Sequence, residues 1–155
     1  QMRRSMAEPG RVTIRALAPD DRSTWEPLWE GYNTFYERVV PAEVTEVTWS
    51  RLMAPGEDPH GLAAVDAGGR LVGFTHFLFH RSTSQVGPTC YLEDLFVSPD
   101  VRKSGAGRAL IKAVYAAADA AGAEQVYWLT EATNETARRL YDQVATVTPF
   151  VEYPR

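Results

Sequence analysis

The chain has 155 residues, 45% of them hydrophobic and 23% charged, with a formal net charge of −4. That describes one globular domain able to bury about two-thirds of its unfolded surface, and the negative charge argues against nucleic acid as a partner. A single cysteine, Cys90, excludes an internal disulfide and a cysteine-based zinc cluster. No apolar run approaches the ~20 residues of a membrane span, so the cytoplasm is the expected compartment.

In chain order, residues 1–10 read as a polar, basic leader or tag remnant, with Met6 a candidate start, ahead of a single domain over 11–155. Val12 to Leu17 alternates as a first strand. Pro19-Asp20-Asp21 starts a helix whose apolar positions Leu28, Tyr32 and Phe35 recur at helical spacing through about Arg38. Pro41 breaks it, and Glu43 to Met53 forms a second helix. Gly61 to Asp66 and Leu71 to Phe79 are strands joined by the turn signal Ala67-Gly68-Gly69-Arg70. The second of them holds His76, which reads as a satisfied core residue, and His60, His76 and His80 show no metal-ligand spacing; no metal is expected. A central strand spans Cys90 to Val97. A helix from Gly105 to about Ala121 buries Leu110, Ile111, Val114 and Ala118 and stops at Gly122. Gln125 to Leu129 is a strand expected to run parallel to the central one, since a whole helix separates them. Asn134 caps a last helix, and Pro149 to Tyr153 reads as a final strand. The class is α/β of the mixed α+β kind.

Between the central strand and the following helix runs Arg102-Lys103-Ser104-Gly105-Ala106-Gly107-Arg108. Strand, glycine loop and helix N-terminus in that order make an anion site: small residues admit a ligand to the backbone, and free N–H groups and the helix dipole favour negative charge. Arg102, Lys103, Arg108 and Lys112 add four positive charges with no acid between them. The dinucleotide fingerprint fails, because Leu110 stands where its third glycine is needed, and the Walker loop fails for want of a glycine ahead of Lys103-Ser104. The segment does fit Arg-x-x-Gly-x-Gly, and Asn134 to Tyr141 fits Asn-x-x-Ala-x-x-x-Tyr. On these two motifs the sequence resembles the GNAT superfamily of acetyl-CoA-dependent N-acetyltransferases, over roughly residues 11 to 153. Tyr91 to Val97 is similar to the polyamine (spermidine/spermine) branch. Leu28 to Tyr32 with Phe35-Tyr36-Glu37 is similar to the yeast histone/polyamine and D-amino-acid branch. Lys103 and Ala106 depart from the common residues there, as does Val144-Ala145 after the tyrosine.

The resemblance implies a GNAT fold, with a mixed, mostly antiparallel sheet of about six or seven strands flanked by about four helices, and a homodimer. It also implies acetyl-CoA as cosubstrate. Main-chain groups of Leu95, Phe96 and Val97 would hold the pantetheine arm. The loop Arg102, Lys103, Ser104, Gly105, Ala106, Gly107 and Arg108 would hold the pyrophosphate, with Asn134 near the thioester end.

Acetyl transfer to an amine needs the amine neutral. At pH 7 an ammonium of pKa near 10.4 costs about 4.6 kcal/mol to deprotonate, and a carboxylate can take that proton directly or through water. A phenol can protonate the leaving thiolate as charge develops. Glu93 is read as the base and Tyr141 as the acid, both matching the polyamine-acetylating relatives. Adjacent strand residues face opposite sides, so Asp94 is read as structural, with the reverse assignment of the pair open. From Asp20 to Asp58 nine acids stand against three arginines, a solvated acidic face or one that receives a cationic acceptor. Glu30 and Glu37, with Trp29 and Tyr32 on a helix that borders the acceptor pocket in relatives, are the substrate-binding candidates. The expected function is acetylation of a small-molecule amine such as a polyamine or amino acid. A protein lysine or N-terminal acetyltransferase and a non-catalytic CoA-binding module are the competing readings.

Overall fold

Period-2 and period-3.6 patterning alternate along the chain and give β1 (Thr13–Ala16), α1 (Arg22–Phe35), α2 (Ala42–Met53), β2 (His60–Val65), β3 (Leu71–His80), β4 (Thr89–Val97), α3 (Ala106–Ala120), β5 (Gln125–Tyr127) and α4 (Glu135–Val144). The structure is a computed structural model and describes residues 11–101 and 104–155. The expected leader, and Arg102 and Lys103 of the glycine loop, lie outside the described residues. The sheet runs β1-β2-β3-β4-β5, antiparallel through β4, with β5 joining β4 in parallel. The parallel step follows from α3, which carries the chain back over the sheet between the two strands.

Helices cover both faces. On one, Trp25, Trp29 and Tyr32 of α1 and Trp49 of α2 pack on Phe74 and Leu71. Trp25 is fully buried, its ring 5.7 Å from that of Trp29 and 4.8 Å from that of Trp49; truncating such a residue costs about 3–5 kcal/mol. On the other face Leu110, Ile111, Val114 and Ala118 of α3 are buried as the periodicity predicts. Phe77, Cys90 and Leu92 receive part of that stripe, and Leu140 and Tyr141 of α4 close its flank.

Two helix ends matter below. Gly122 takes φ 73° after α3, and the Ala123 N–H returns to the Ala118 carbonyl at 2.9 Å, the glycine-terminated stop that the sequence predicts. α1 ends in the same hydrogen-bond pattern, with Glu37 N–H on Thr34 O and Arg38 N–H on Asn33 O, both 3.0 Å. There the left-handed position, φ 54°, belongs to Glu37 rather than to a glycine.

The mixed sheet and four helices match the expectation; the strand count does not. Five strands form among the described residues, not six or seven, because Pro149 to Tyr153 is not a strand. A strand needs a partner edge, and β5 leaves the ladder after Tyr127, two residues short of the expected Leu129. The segment from Pro149 therefore meets no ladder, its proline brings no N–H of its own, and Phe150, Val151 and Tyr153 are exposed.

Candidate active site

The carboxylate pair sits on a bulge. His76 pairs with Asp94 and Phe77 with Leu92, so Glu93 is the extra residue with no partner across the ladder. Leu92 and Leu95, three residues apart, both pack towards α3, which strict alternation forbids. Asp94 turns towards α1, where His76 meets it. The expectation that neighbouring carboxylates take opposite faces by simple alternation fails here, because the inserted residue resets the phase.

The partners of Asp94 are fixed by donor logic. The Trp25 indole N–H only donates, and it lies 3.1 Å from His76 Nε2, so Nε2 accepts and the ring proton sits on Nδ1. That proton is donated to Asp94 Oδ2 at 2.9 Å. The Thr75 hydroxyl donates to the Asp94 main-chain oxygen at 2.8 Å. Arg38 Nη2 stands 3.6 Å from Oδ1. Burial alone would push the Asp94 carboxyl up. The His76 hydrogen bond, the Tyr32 hydroxyl and the Arg38 charge outweigh it and hold the carboxyl below its ordinary value. Glu93 is solvent-exposed with no such partners. Partial burial of the carboxyl group and then the charge of Asp94 push it up, against a smaller pull from Arg38.

Beside the bulge lies a cavity of about 650 Å³. Its floor is the β4 edge: β5 pairs only with Thr89 to Tyr91, so the main chain of Leu95 to Val97 has no ladder partner on that side. Its end is the N-terminus of α3. Gly105 takes φ 81°. The Ala106 N–H is turned to Ser104 Oγ, and the N–H groups of Gly107 and Arg108 have no partner among the described residues, as expected of a first helical turn. Its far wall is α4, capped by Asn134, whose Oδ1 accepts from the Ala137 N–H at 3.2 Å. A side chain on Gly107 would meet Leu140 Cδ2 at 3.3 Å. Arg108 hydrogen-bonds Gln143, which ties α4 to α3.

Tyr141 lines this cavity together with Tyr36. Its ring packs edge-on against Trp128 at 5.4 Å. Burial, with a smaller contribution from Tyr36, pushes its phenol up to about 12. Burial also raises the Tyr36 phenol, and the charges of Glu131 and Asp94 add to it against Arg38. Tyr36 thus joins the cavity to the charged cleft around the bulge.

The sequence matches the Acetyltransferase (GNAT) family over residues 25–145. The chain belongs to that family. It is an N-acetyltransferase, 38% identical over 146 residues to the D-amino-acid N-acetyltransferase HPA3 of Saccharomyces cerevisiae, covering 94% of this chain and 91% of that protein. It is 29% identical over 132 residues to the uncharacterized N-acetyltransferase YhfO of Bacillus subtilis, covering 85% of this chain and 87% of the relative. In fold it superposes on a ribosomal-protein-alanine N-acetyltransferase from Brucella melitensis, with a TM-score of 0.77 at 21% identity over 94% of this chain and 99% of that one.

The family generally uses acetyl-CoA as cosubstrate, and the residues present fit it. A helix N-terminus and a strand edge with no partners among the described residues suit a pyrophosphate and an amide-bearing arm, and glycines admit both to the backbone. Leu95, Phe96, Val97, Ser104, Gly105, Ala106, Gly107, Arg108, Asn134 and Tyr141 all border the one cavity. Of the acceptor candidates in this acetyltransferase, Trp29 is buried with its indole N–H on Thr45 Oγ1 at 3.1 Å, and Tyr32 is buried beside Phe96 at 6.2 Å. Glu30 and Glu37 are exposed. Arg38, Glu131 and the His76–Asp94 link escaped the sequence reading. Arg38 followed an apparently unbroken helix, and no local spacing pairs two strands through their register. No group of metal-binding side chains occurs among the described residues.

Asp94→Asn tests the buried link. The folded carboxyl value is depressed, so its contribution to stability is present above the ordinary value of about 3.9 and is lost as pH falls through the lower folded value. The variant is expected to be about 1–3 kcal/mol less stable at pH 7, with the difference from wild type shrinking below about pH 4. Urea titrations at pH 7 and pH 3 check it; an unchanged difference would show that the carboxylate charge plays no part.

Proposed function

We propose that this N-acetyltransferase moves an acetyl group to the primary amine of a small molecule, by direct attack within one complex of enzyme, acetyl-CoA and acceptor. The observation that carries this reading is the different placing of two neighbouring carboxyls, Asp94 buried on its His76 hydrogen bond and Glu93 exposed on the bulge. Asp94 is held ionised by fixed partners, and Glu93 is pushed up and open to solvent. Environments that drive paired carboxyls apart are the usual mark of separate roles. Glu93 accepts the ammonium proton, directly or through water. Asp94 and His76 hold the strand and the charge next to it.

Acetyl-CoA, when bound, supplies an activated thioester. Tyr141 keeps its proton at neutral pH and offers it towards the sulfur. With the phenol at about 12 and a thiol near 8.5, full transfer is uphill by about 4.8 kcal/mol, so the hydroxyl acts by hydrogen bonding to charge as it develops. Cys90 is fully buried and burial pushes its thiol up to about 11; it offers no thiolate for a covalent route. The yeast relative's name points to amino acids, and we place the acceptor among them and similar small amines.

Thiol release from acetyl-CoA against diamines, polyamines, D- and L-amino acids, aminoglycosides and a basic peptide tests the reading. Turnover on a free amine supports it, and turnover confined to the peptide would move the activity to protein targets. We also infer a homodimer, supported by the open β5 edge and the exposed Phe150, Val151 and Tyr153. A monomer in sedimentation velocity would remove it.

A further inference from the structure

The geometry points to Arg38 as the receptor for a carboxylate on the acceptor, which makes the acceptor an amino acid rather than a polyamine. The inference rests on the reading of the site just given and names its substrate class.

Arg38 lies beyond the end of α1 and is held there by its main chain, its Nε–H and two aromatic rings. The left-handed turn at Glu37, which disfavours a side chain there, returns the Arg38 N–H to Asn33 O. Its Nε–H donates to Asn33 Oδ1 at 2.7 Å, and Asn33 is buried. The guanidinium carbon lies 5.3 Å from the Trp29 ring centre and 5.0 Å from that of Tyr32. The stem and Nε are therefore held, and of the two terminal nitrogens Nη2 faces Asp94 Oδ1 in a long ion pair while Nη1 has no partner among the described residues. The ion pair, at 3.6 Å, is beyond hydrogen-bond range, and the side chain is 44% exposed. A fork fixed at its base, with no hydrogen bond at its tip among the described residues, is the geometry that takes a carboxylate bidentately.

Its setting decides between acceptors. Arg38 Nη2 stands 3.6 Å from Asp94 Oδ1, and Asp94 directly follows Glu93 on the bulge, so the guanidinium lies next to the carboxylate read as the base. A guanidinium beside that base matches a molecule carrying a carboxylate next to its ammonium. A second ammonium, as on a polyamine, would meet the guanidinium instead, so the same residue that selects the amino acid repels its competitor.

The test compares amino acids with their carboxamides, their decarboxylated amines and spermidine. A second arm titrates the N-acetyl amino acid and its amide into the enzyme by calorimetry, which needs no turnover. Wild type is expected to favour the acid over the amide in kcat/KM by about 10- to 150-fold, the span of a charge-assisted pair. In Arg38→Gln that ratio falls towards one, mainly through KM, and Arg38→Lys restores part of it. N-acetyl amino acid binding falls in step. Equal use of acid and amide by wild type, a preference for spermidine, or an Arg38→Gln loss that spares the ratio would overturn the assignment. If no amine turns over yet the N-acetyl amino acid binds through Arg38, the catalytic reading falls and the receptor stands. If amines turn over without regard to the carboxylate, the reverse holds.

Discussion

Glu93→Gln is expected to lower kcat about 10²- to 10⁴-fold, the usual worth of a positioned general base, with acetyl-CoA affinity within about twofold of wild type. The substitution removes a proton acceptor from an exposed bulge position that has no partner across the ladder, so folding stability should move by less than about 0.5 kcal/mol. The pH profile separates the two carboxyls. A base works ionised, so activity is lost as pH falls through its carboxyl value, which for Glu93 is raised by partial burial and by the charge of Asp94. Asp94→Asn removes that charge and should shift the acid limb of kcat to lower pH. If Asp94 were the base, that variant would abolish the limb and Glu93→Gln would only shift it. Stopped-flow single turnovers from pH 5 to 9 distinguish the two outcomes.

The parts of the site that lie within one segment could be read from the chain. Gly105 and Gly107, the Asn134 cap and Tyr141 all follow from local spacing, because backbone freedom, capping and a two-turn helical offset are properties of neighbours. The parts that depend on register could not. His76 looks like an apolar-strand histidine until β3 and β4 pair it with Asp94. The bulge has no mark in Leu92-Glu93-Asp94-Leu95 beyond two carboxylates in an apolar run, and it changes which way both of them turn. Arg38 is concealed differently. Helical periodicity continues past Phe35, and nothing in Tyr36-Glu37-Arg38 announces a left-handed residue, since Glu37 stands where glycine is usual. The segment from Pro149 fails for the same reason in reverse. Its alternation is strand-like, but alternation makes a strand only where another strand pairs with it, and the short β5, which ends at Tyr127, pairs with β4 alone among the described residues.

Gly107→Val is expected to weaken acetyl-CoA binding by more than 100-fold. On the proposed reading the Gly107 and Arg108 N–H groups and the helix end they belong to would hold the pyrophosphate, and charge-assisted hydrogen bonds are worth about 1.5–3 kcal/mol each. A Cβ at 107 lies 3.3 Å from Leu140 Cδ2 and 4.0 Å from Val97 Cγ2, so valine branches would fill the gap between β4 and α4 that the cosubstrate needs. Some stability will go too, about 1–3 kcal/mol by overpacking, and binding must be separated from it. The two left-handed glycines of α3 provide the control. Gly105, φ 81°, and Gly122, φ 73°, flank the same helix, and a Cβ at either meets nothing within 4 Å among the described residues. Alanine at each should therefore cost a similar 1–2 kcal/mol of backbone strain, but only Gly105→Ala disturbs the loop at the anion site. Calorimetric titration of acetyl-CoA should show affinity lost in Gly107→Val, reduced in Gly105→Ala and unchanged in Gly122→Ala. Equal losses at positions 105 and 122 would mean that the glycines serve the helix and not the ligand.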